Sequence, residues 1–350
     1  MSMKTTSLKI FGFVLFSIFL NSCTTLLYTN LDVLRPAKVT FSPEIKKVLI
    51  VNNTVVQPYD YGHKTQLYNQ KPTNITIATD SLSIFCVGSL TEELIQKEFF
   101  TSVELLPNSK NNSTDFFYVK YLTVDTVKAL CNRYKTDAII SLDRIKVIDK
   151  ISEYYVQEEN LYIADLNVNY ETQWSIHTPN EIKFTATTFK DTVFWESESY
   201  QRRKVMNGLP ERTNALIDGA LYVGQNTVKR MIPYWEKVDR YFFSNQSKYI
   251  KQGIDSVYVK NWSSAIKSWE TCLNKNMSNI TRAKAANNIA VTYEITGNIE
   301  KAIVFAKLSI EYFDKSMSSD FLTYIRVKSY LDELQRREKE INLLKKQLGE

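Results

Sequence analysis

Residues 47–52, Lys47-Val48-Leu49-Ile50-Val51-Asn52, decide how this chain is read. A short β-branched and apolar run, preceded by Pro43 and closed by Asn52-Asn53, is the pattern of a strand. The segment 54–80, rich in Asn, Pro, Gln and Tyr, reads as a long loop. Beyond it, Leu90, Leu94, Ile95 and Phe99 recur at helical spacing, with Ser89 placed as N-cap and Glu92-Glu93 in the first turn. Val103 to Leu106 reads as a short strand ended by Pro107. A second helix is expected from Thr123 to Tyr134, its apolar face made by Val124, Val127, Leu130, Cys131 and Tyr134. Ala138 to Leu142 starts a further strand that Ile145 to Val147 continues. Two long strands, Tyr162 to Ile176 and Glu181 to Trp195, are joined by His177-Thr178-Pro179-Asn180. Leu166, Val168, Tyr170, Thr172, Trp174 and Ile176 alternate with polar residues, so one face is buried. The order predicts an α+β domain over residues 41–205, a mixed sheet with helices on one face.

Residues 206–240 are expected to be a connecting helix, with Pro210 near its start and Pro233 at its end. Small and apolar residues such as Ala215, Ala220 and Gly224 suit it to tight packing. From residue 241 the chain is helical and repetitive. Asn261-Trp262-Ser263-Ser264-Ala265-Ile266 recurs 37 residues later as Asn298-Ile299-Glu300-Lys301-Ala302-Ile303. With Gly253, Trp269, Tyr293 and Gly297 around them, these segments resemble tetratricopeptide (TPR) repeats, which place small residues where two helices cross. A generic bundle of helical hairpins is the alternative. The resemblance implies an all-α TPR-like helical repeat domain of two repeats over residues 241–317, capped by a C-terminal helix over residues 318–350. It also implies a concave surface for a protein or peptide partner. The lining positions would be Ile250, Ile254, Val257 and Tyr258 in one copy, and Lys284, Asn287, Val291, Glu294 and Ile295 in the other.

At the other end, Lys4 and Lys9 accompany an apolar run, Ile10 to Leu20, that stops at Asn21-Ser22-Cys23. The run is too short for a membrane span, which needs about 20 residues, and has the build of a secretory signal. Leu20-Asn21-Ser22-Cys23 resembles the lipobox of bacterial lipoproteins. That implies a signal peptide at 1–22, lipid (diacylglycerol and palmitate) on Cys23, and a spacer at 23–40. An ordinary cleaved signal with a chance cysteine is the alternative. Thr24-Thr25 in place of Asp, with no acidic run after Cys23, implies attachment to the outer membrane on its periplasmic side. The strand and helix order over residues 45–195 also resembles the α/β domains of envelope lipoproteins that serve secretion pores or regulate cell-wall synthesis.

The composition, 44% apolar and 23% charged, is that of a folded protein. The formal net charge of +6 is carried by scattered Lys and Arg, so nucleic-acid binding is not indicated. His63 and His177 are the only histidines, and Cys86, Cys131 and Cys272 stand far apart. No metal site, no phosphate loop and no nucleophile elbow is signalled, and no cofactor is expected. Tyr59, Tyr61, Tyr68, Tyr154 and Tyr155 have the character of a polar aromatic surface for peptide or glycan; ordinary packing is the stronger reading for those in strands, less so for the Tyr59–Tyr61 loop. The expectation is a lipid-anchored scaffold or assembly factor that binds proteins through TPR-like repeats. A regulator of a cell-wall enzyme or secretion pore, acting through the α/β domain, is the alternative, and an enzyme comes third.

Overall fold

The computed structural model describes residues 25–108, 111, 113–180, 184–244, 247–316 and 321–350. The expected signal peptide and Cys23 lie outside the described residues. The described residues divide into two compact units, one made of residues 25–36 with Tyr234–Lys346, the other of Ala37–Pro233 with the last four residues. The stretch read as a spacer is, from Thr25 onward, the strand β1 (Thr25–Arg35) of the first of these units.

The α/β unit is built around β2 (Lys47–Asn52). After the short strands β3 (His63–Gln66) and β4 (Thr73–Asn74) come α1 (Leu82–Gln96), β5 (Ser102–Leu106), α2 (Val124–Tyr134) and the long β6 (Ala138–Val156). The antiparallel pair β7 (Leu161–His177) and β8 (Thr185–Ser199) and the helix α3 (Arg212–Met231) complete the unit. β2 pairs in parallel with β5 on one side and with the start of β6 on the other. β6 then runs on to pair with β3 in parallel and with β7 antiparallel, giving a seven-stranded mixed sheet.

The crossovers from β2 through α1 to β5, and from β5 through α2 to β6, step to opposite sides of β2. With one handedness allowed, the two helices fall on opposite faces. Val48 and Ile50 accordingly pack with Cys86, Leu90 and Leu94 of α1 and Val223 of α3. Leu49 and Val51 pack with Val127 and Cys131 of α2. The expectation of helices on one face is therefore corrected: β2 is covered on both, which is why it lacks alternation. α1 also starts at Leu82 and not near Ser89. Ser89 lies inside it, where its hydroxyl donates to the Leu221 carbonyl of α3 at 2.9 Å. Ile84 and Phe85 stay exposed beside buried Leu82, Cys86 and Val87, and this blurs the apolar stripe that would have marked the first turns.

In the helical unit, β9 (Tyr234–Ser244) pairs antiparallel with β1 along its whole length, from Thr25↔Ser244 to Arg35↔Tyr234. The expected connecting helix thus ends at Met231, and a strand follows it. Two helix pairs come next, α4 (Lys248–Tyr258) with α5 (Trp262–Asn274), and α6 (Asn279–Ile295) with α7 (Ile299–Asp314). A 28-residue helix, α8 (Phe321–Leu348), closes the chain. The related segments behave alike. Asn261 and Asn298 cap α5 and α7, accepting from the Ser264 and Lys301 amides, and Ala265 and Ala302 are fully buried. Phe242 of β9 stacks on Trp269, in a core with Ile250, Ile254, Ile289, Tyr330 and Leu334.

Candidate functional site

The nine positions expected to line a partner groove do not form an open surface. Ile250, Ile254, Val257 and Val291 belong to the core of the helical unit, and Lys284, Asn287 and Glu294 are buried as well. Ile295 is half-buried. Tyr258 alone is largely exposed, at 68%. The reason is local: β9 of the same chain lies against α6. The Asn288 amide accepts from the Phe243 N–H at 2.7 Å and donates to the Phe243 carbonyl at 2.8 Å.

The same helices carry a buried ion network. Glu294 accepts two bonds from Arg240 (2.7 and 2.8 Å), one from the Tyr330 hydroxyl (2.8 Å) and one from Arg337. Arg35 of β1 reaches Glu236 (2.7 Å), Glu333 (2.5 Å) and Glu340 (2.9 Å). Burial works to raise the Glu333 carboxyl, yet Arg35 and Arg336 hold it below its usual range. Burial and Glu294 push the Tyr330 hydroxyl far up. These charges bind the strand ribbon to α6 and α8, and Arg35, Arg240 and Arg337 are each held by a carboxylate of the same unit.

The α/β unit offers a different place. β2 sits between β5 and β6, so its carboxyl end is a topological switch point, where ligands of open α/β sheets bind. Two buried amides occupy that end. Asn52 donates to the Ser83 hydroxyl (3.0 Å) and to the Pro107 carbonyl (2.9 Å), tying the start of α1 to the loop after β5. Asn53 donates to the Lys120 carbonyl (2.8 Å) and to Asp143 (2.9 Å). Asp143 is the extra residue of a bulge, since pairing with β7 shifts between Leu142 and Arg144. Bulges re-aim side chains, and here the carboxylate also accepts from Ser141 (2.8 Å) and Ser175 (2.5 Å).

Ser175 and His177 Nε2 are 2.8 Å apart. The Ser175 proton is committed to Asp143, so the imidazole must donate to the hydroxyl. That order, His to Ser to Asp, holds the end of β7 and does not generate a nucleophile. Beside Ser83, on the α1 side of this end, a space of about 10 Å³ lined among others by Thr54, Gln57 and Thr79 is enough for about one water. Among the described residues no group of three or more His, Cys, Asp or Glu is placed to hold a metal ion. No described helix is long and apolar enough to cross a membrane.

Above this plugged edge the loops carry aromatics. Phe116 is buried and roots the cluster. Tyr61 lies 6.2 Å from it and 5.2 Å from Phe117. Phe117 and Tyr118 stand 60% and 69% exposed, and Val56 and Tyr59 are exposed on the neighbouring loop, with the Tyr59 hydroxyl on Asp80 (3.2 Å). The Tyr59–Tyr61 loop was legible in the sequence as a surface feature. Phe117 and Tyr118 were not, because nothing local marks the loop after β5 as their neighbour. Asn52-Asn53 after an apolar strand was the available signal for the polar network.

The network makes a prediction about acid. Burial pushes the His177 imidazole down from its ordinary 6.5 to about 4. The unfolded chain takes up this proton near 6.5 while the folded chain resists until about 4. The stability contributed by neutral His177 is therefore lost as pH falls through that window. Burial pushes Asp143 above its usual range, against its bonds from Ser175, Asn53 and Ser141, so Asp143 acts in the opposite sense. His177→Phe, which keeps a ring beside Phe184, is expected to flatten the decline of the urea midpoint between pH 6.5 and 4.5. An unchanged slope contradicts this assignment.

The model of the domain of unknown function DUF8603 matches residues 45–243, and that of the domain of unknown function DUF6340 matches residues 251–336. No curated protein matches the chain. Among solved structures, the hypothetical protein CT253 from Chlamydia trachomatis is 8% identical, over 53% of this chain and 95% of that one, with a TM-score of 0.20. The first family model covers the sheet, both of its helical faces and the aromatic loops, more than half of the sequence, and the chain belongs to the DUF8603 family.

Proposed function

We propose that this protein is a lipid-anchored, non-enzymatic binding protein of a bacterial envelope. Cys23 holds it at the outer membrane, facing the periplasm, and it engages a protein partner through the loop edge of its α/β unit. This is the regulatory alternative from the sequence, acting on a cell-wall enzyme or secretion pore, in preference to a scaffold with an open repeat groove. The observation that carries it is the contrast in exposure: Phe117 and Tyr118 stand out on a rooted aromatic cluster, whereas seven of the nine groove positions are buried. The two helix pairs are read as TPR-like repeats whose concave side receives β9 of the same chain, gripped by Asn288. No cofactor, metal or nucleic acid enters this reading.

Aromatic anchors dominate protein interfaces, and truncating one often costs more than about 2 kcal/mol of binding. The double variant Phe117→Ser with Tyr118→Ser is therefore expected to reduce capture of the partner from cross-linked membranes by at least about tenfold, with the melting temperature nearly unchanged. Tyr258→Ser is expected to change neither. Capture lost with Tyr258→Ser and kept with the double variant reverses the reading.

A further inference from the structure

One end of the helical unit gathers seven element ends: the starts of β1, α4, α6 and α8, and the finishes of β9, α5 and α7. Thr25 pairs with Ser244. Leu26 and Phe243 share a cluster with Ile280, Phe313, Tyr312 and Tyr324. Asn279 donates to the Lys315 carbonyl at 3.0 Å, and Arg282 donates to the Lys275 carbonyl at 2.9 Å. Lys275 lies over the Tyr249 ring at 4.5 Å, and Arg282 and Lys315 lie over Tyr312 at 5.7 and 5.9 Å. Phe321 and Leu322, opening α8, are 67% and 70% exposed. In the terminal turns at this end, residues 248–251, 274–282, 311–316 and 321–326, six Lys or Arg stand against the two acids Glu311 and Asp314. Cations stacked on tyrosines around a few exposed apolar side chains are the chemistry of a membrane interface.

We infer that this end of the helical unit is a face that lies on an anionic phospholipid bilayer; the inference rests on the reading of Cys23 as the lipidated residue. Two observations choose the occupant. Cys23 precedes Thr25 by two residues, which fully extended reach at most about 7 Å. The acyl chains would therefore enter the bilayer beside the Thr25–Ser244 end, and a rigid paired strand, not a slack spacer, would carry the pull. The charge excess at the same end is complementary to an anionic surface. The lipid supplies attachment, and this face supplies orientation.

The test uses the mature, lipidated protein in vesicles of phosphatidylcholine with and without phosphatidylglycerol. The other cysteines, Cys86, Cys131 and Cys272, are buried, so a spin label can be placed at Leu322→Cys or, as control, at Tyr258→Cys on the far end of α4. The label at 322 is expected to collide with lipid-soluble oxygen more than with a water-soluble nickel chelate when phosphatidylglycerol is present, and the label at 258 to do the reverse. Each cation at an anionic surface strengthens the contact about fivefold, so neutralising Lys248, Lys275 and Lys315 to Gln should weaken it on the order of a hundredfold and return the 322 label to water. Mass spectrometry of the same sample separates the two ways of failing. No lipid on Cys23 overturns the anchor and this inference with it. Lipid on Cys23, with the 322 label in water or broadened by a second copy of the chain, overturns the face alone.

Discussion

Replacing Glu294 with alanine is expected to destabilise the helical unit by about 3–5 kcal/mol. The carboxylate is fully buried and serves Arg240, Arg337 and the Tyr330 hydroxyl together. Its removal leaves two guanidinium groups, 9% and 16% exposed, without their acceptor in a medium that solvates charge poorly. Glu333 lies 3.6 Å from Arg240 but is already held by Arg35 and Arg336, so it cannot take over the role. Glu294→Gln keeps the shape and one acceptor oxygen, and should recover only part of the loss. The comparison is Glu311→Ala, which breaks an exposed ion pair with Lys315 and should matter far less. Urea denaturation of the three variants checks this, and a Glu294→Ala midpoint close to that of Glu311→Ala contradicts it.

The second large effect is expected in the α/β unit, where α1 and α3 cross at Gly224. A methyl group there would overlap the Cys86 carbonyl oxygen and the Ser89 hydroxyl of α1. A side chain could swing aside, but a backbone carbonyl inside a helix cannot. The helices must therefore part, and the apolar contacts of Cys86, Leu90, Ala220 and Val223 loosen with them. Gly224→Ala should cost about 3 kcal/mol, the upper end of what overpacking costs. At Gly88 in α1, by contrast, a methyl group would meet nothing within 4 Å. Gly88→Ala should instead stabilise by about 0.5–1 kcal/mol, because alanine loses less backbone freedom in a helix. The thermal midpoints of the two variants should move in opposite directions, and a midpoint that rises with both would show that the crossing is not tight.

What was legible in the sequence follows from how locally each element is specified. β2, α2, the first half of β6 and the β7–β8 hairpin announce themselves through uninterrupted apolar runs or clean periodicity, as do the helix pairs around Ala265 and Ala302. β6 then runs on to Val156, past the Val147 at which the sequence reading ended it. β1 and β9 do not announce themselves, for a physical reason. The residues β9 turns inward include Glu236 and Arg240, and β1 contributes Arg35, so their buried face is partly a charge network whose partners lie up to 305 residues away. Alternation of apolar and polar residues cannot reveal a strand whose inner face is ionic. Seven of the nine expected groove positions are buried, and this too was hidden from the sequence. The pattern Lys284, Asn287, Val291 and Glu294 marks the inward side of α6, but only the paired strands show that this side is already filled. The polar network at Asn52, Asn53 and Asp143 joins three loops and a bulge, none of them periodic.

The claim that a partner meets the α/β loop edge and not a repeat groove is tested most directly by photo-cross-linking in intact cells. A benzophenone amino acid is placed in turn at Phe117, Tyr118, Tyr258 and Ile295 of the full-length protein. The account predicts one discrete adduct from 117 and 118, and none from 258 and 295. Adducts from 258 and 295 with none from 117 and 118 would contradict it and return the helical unit to the centre of the protein's function.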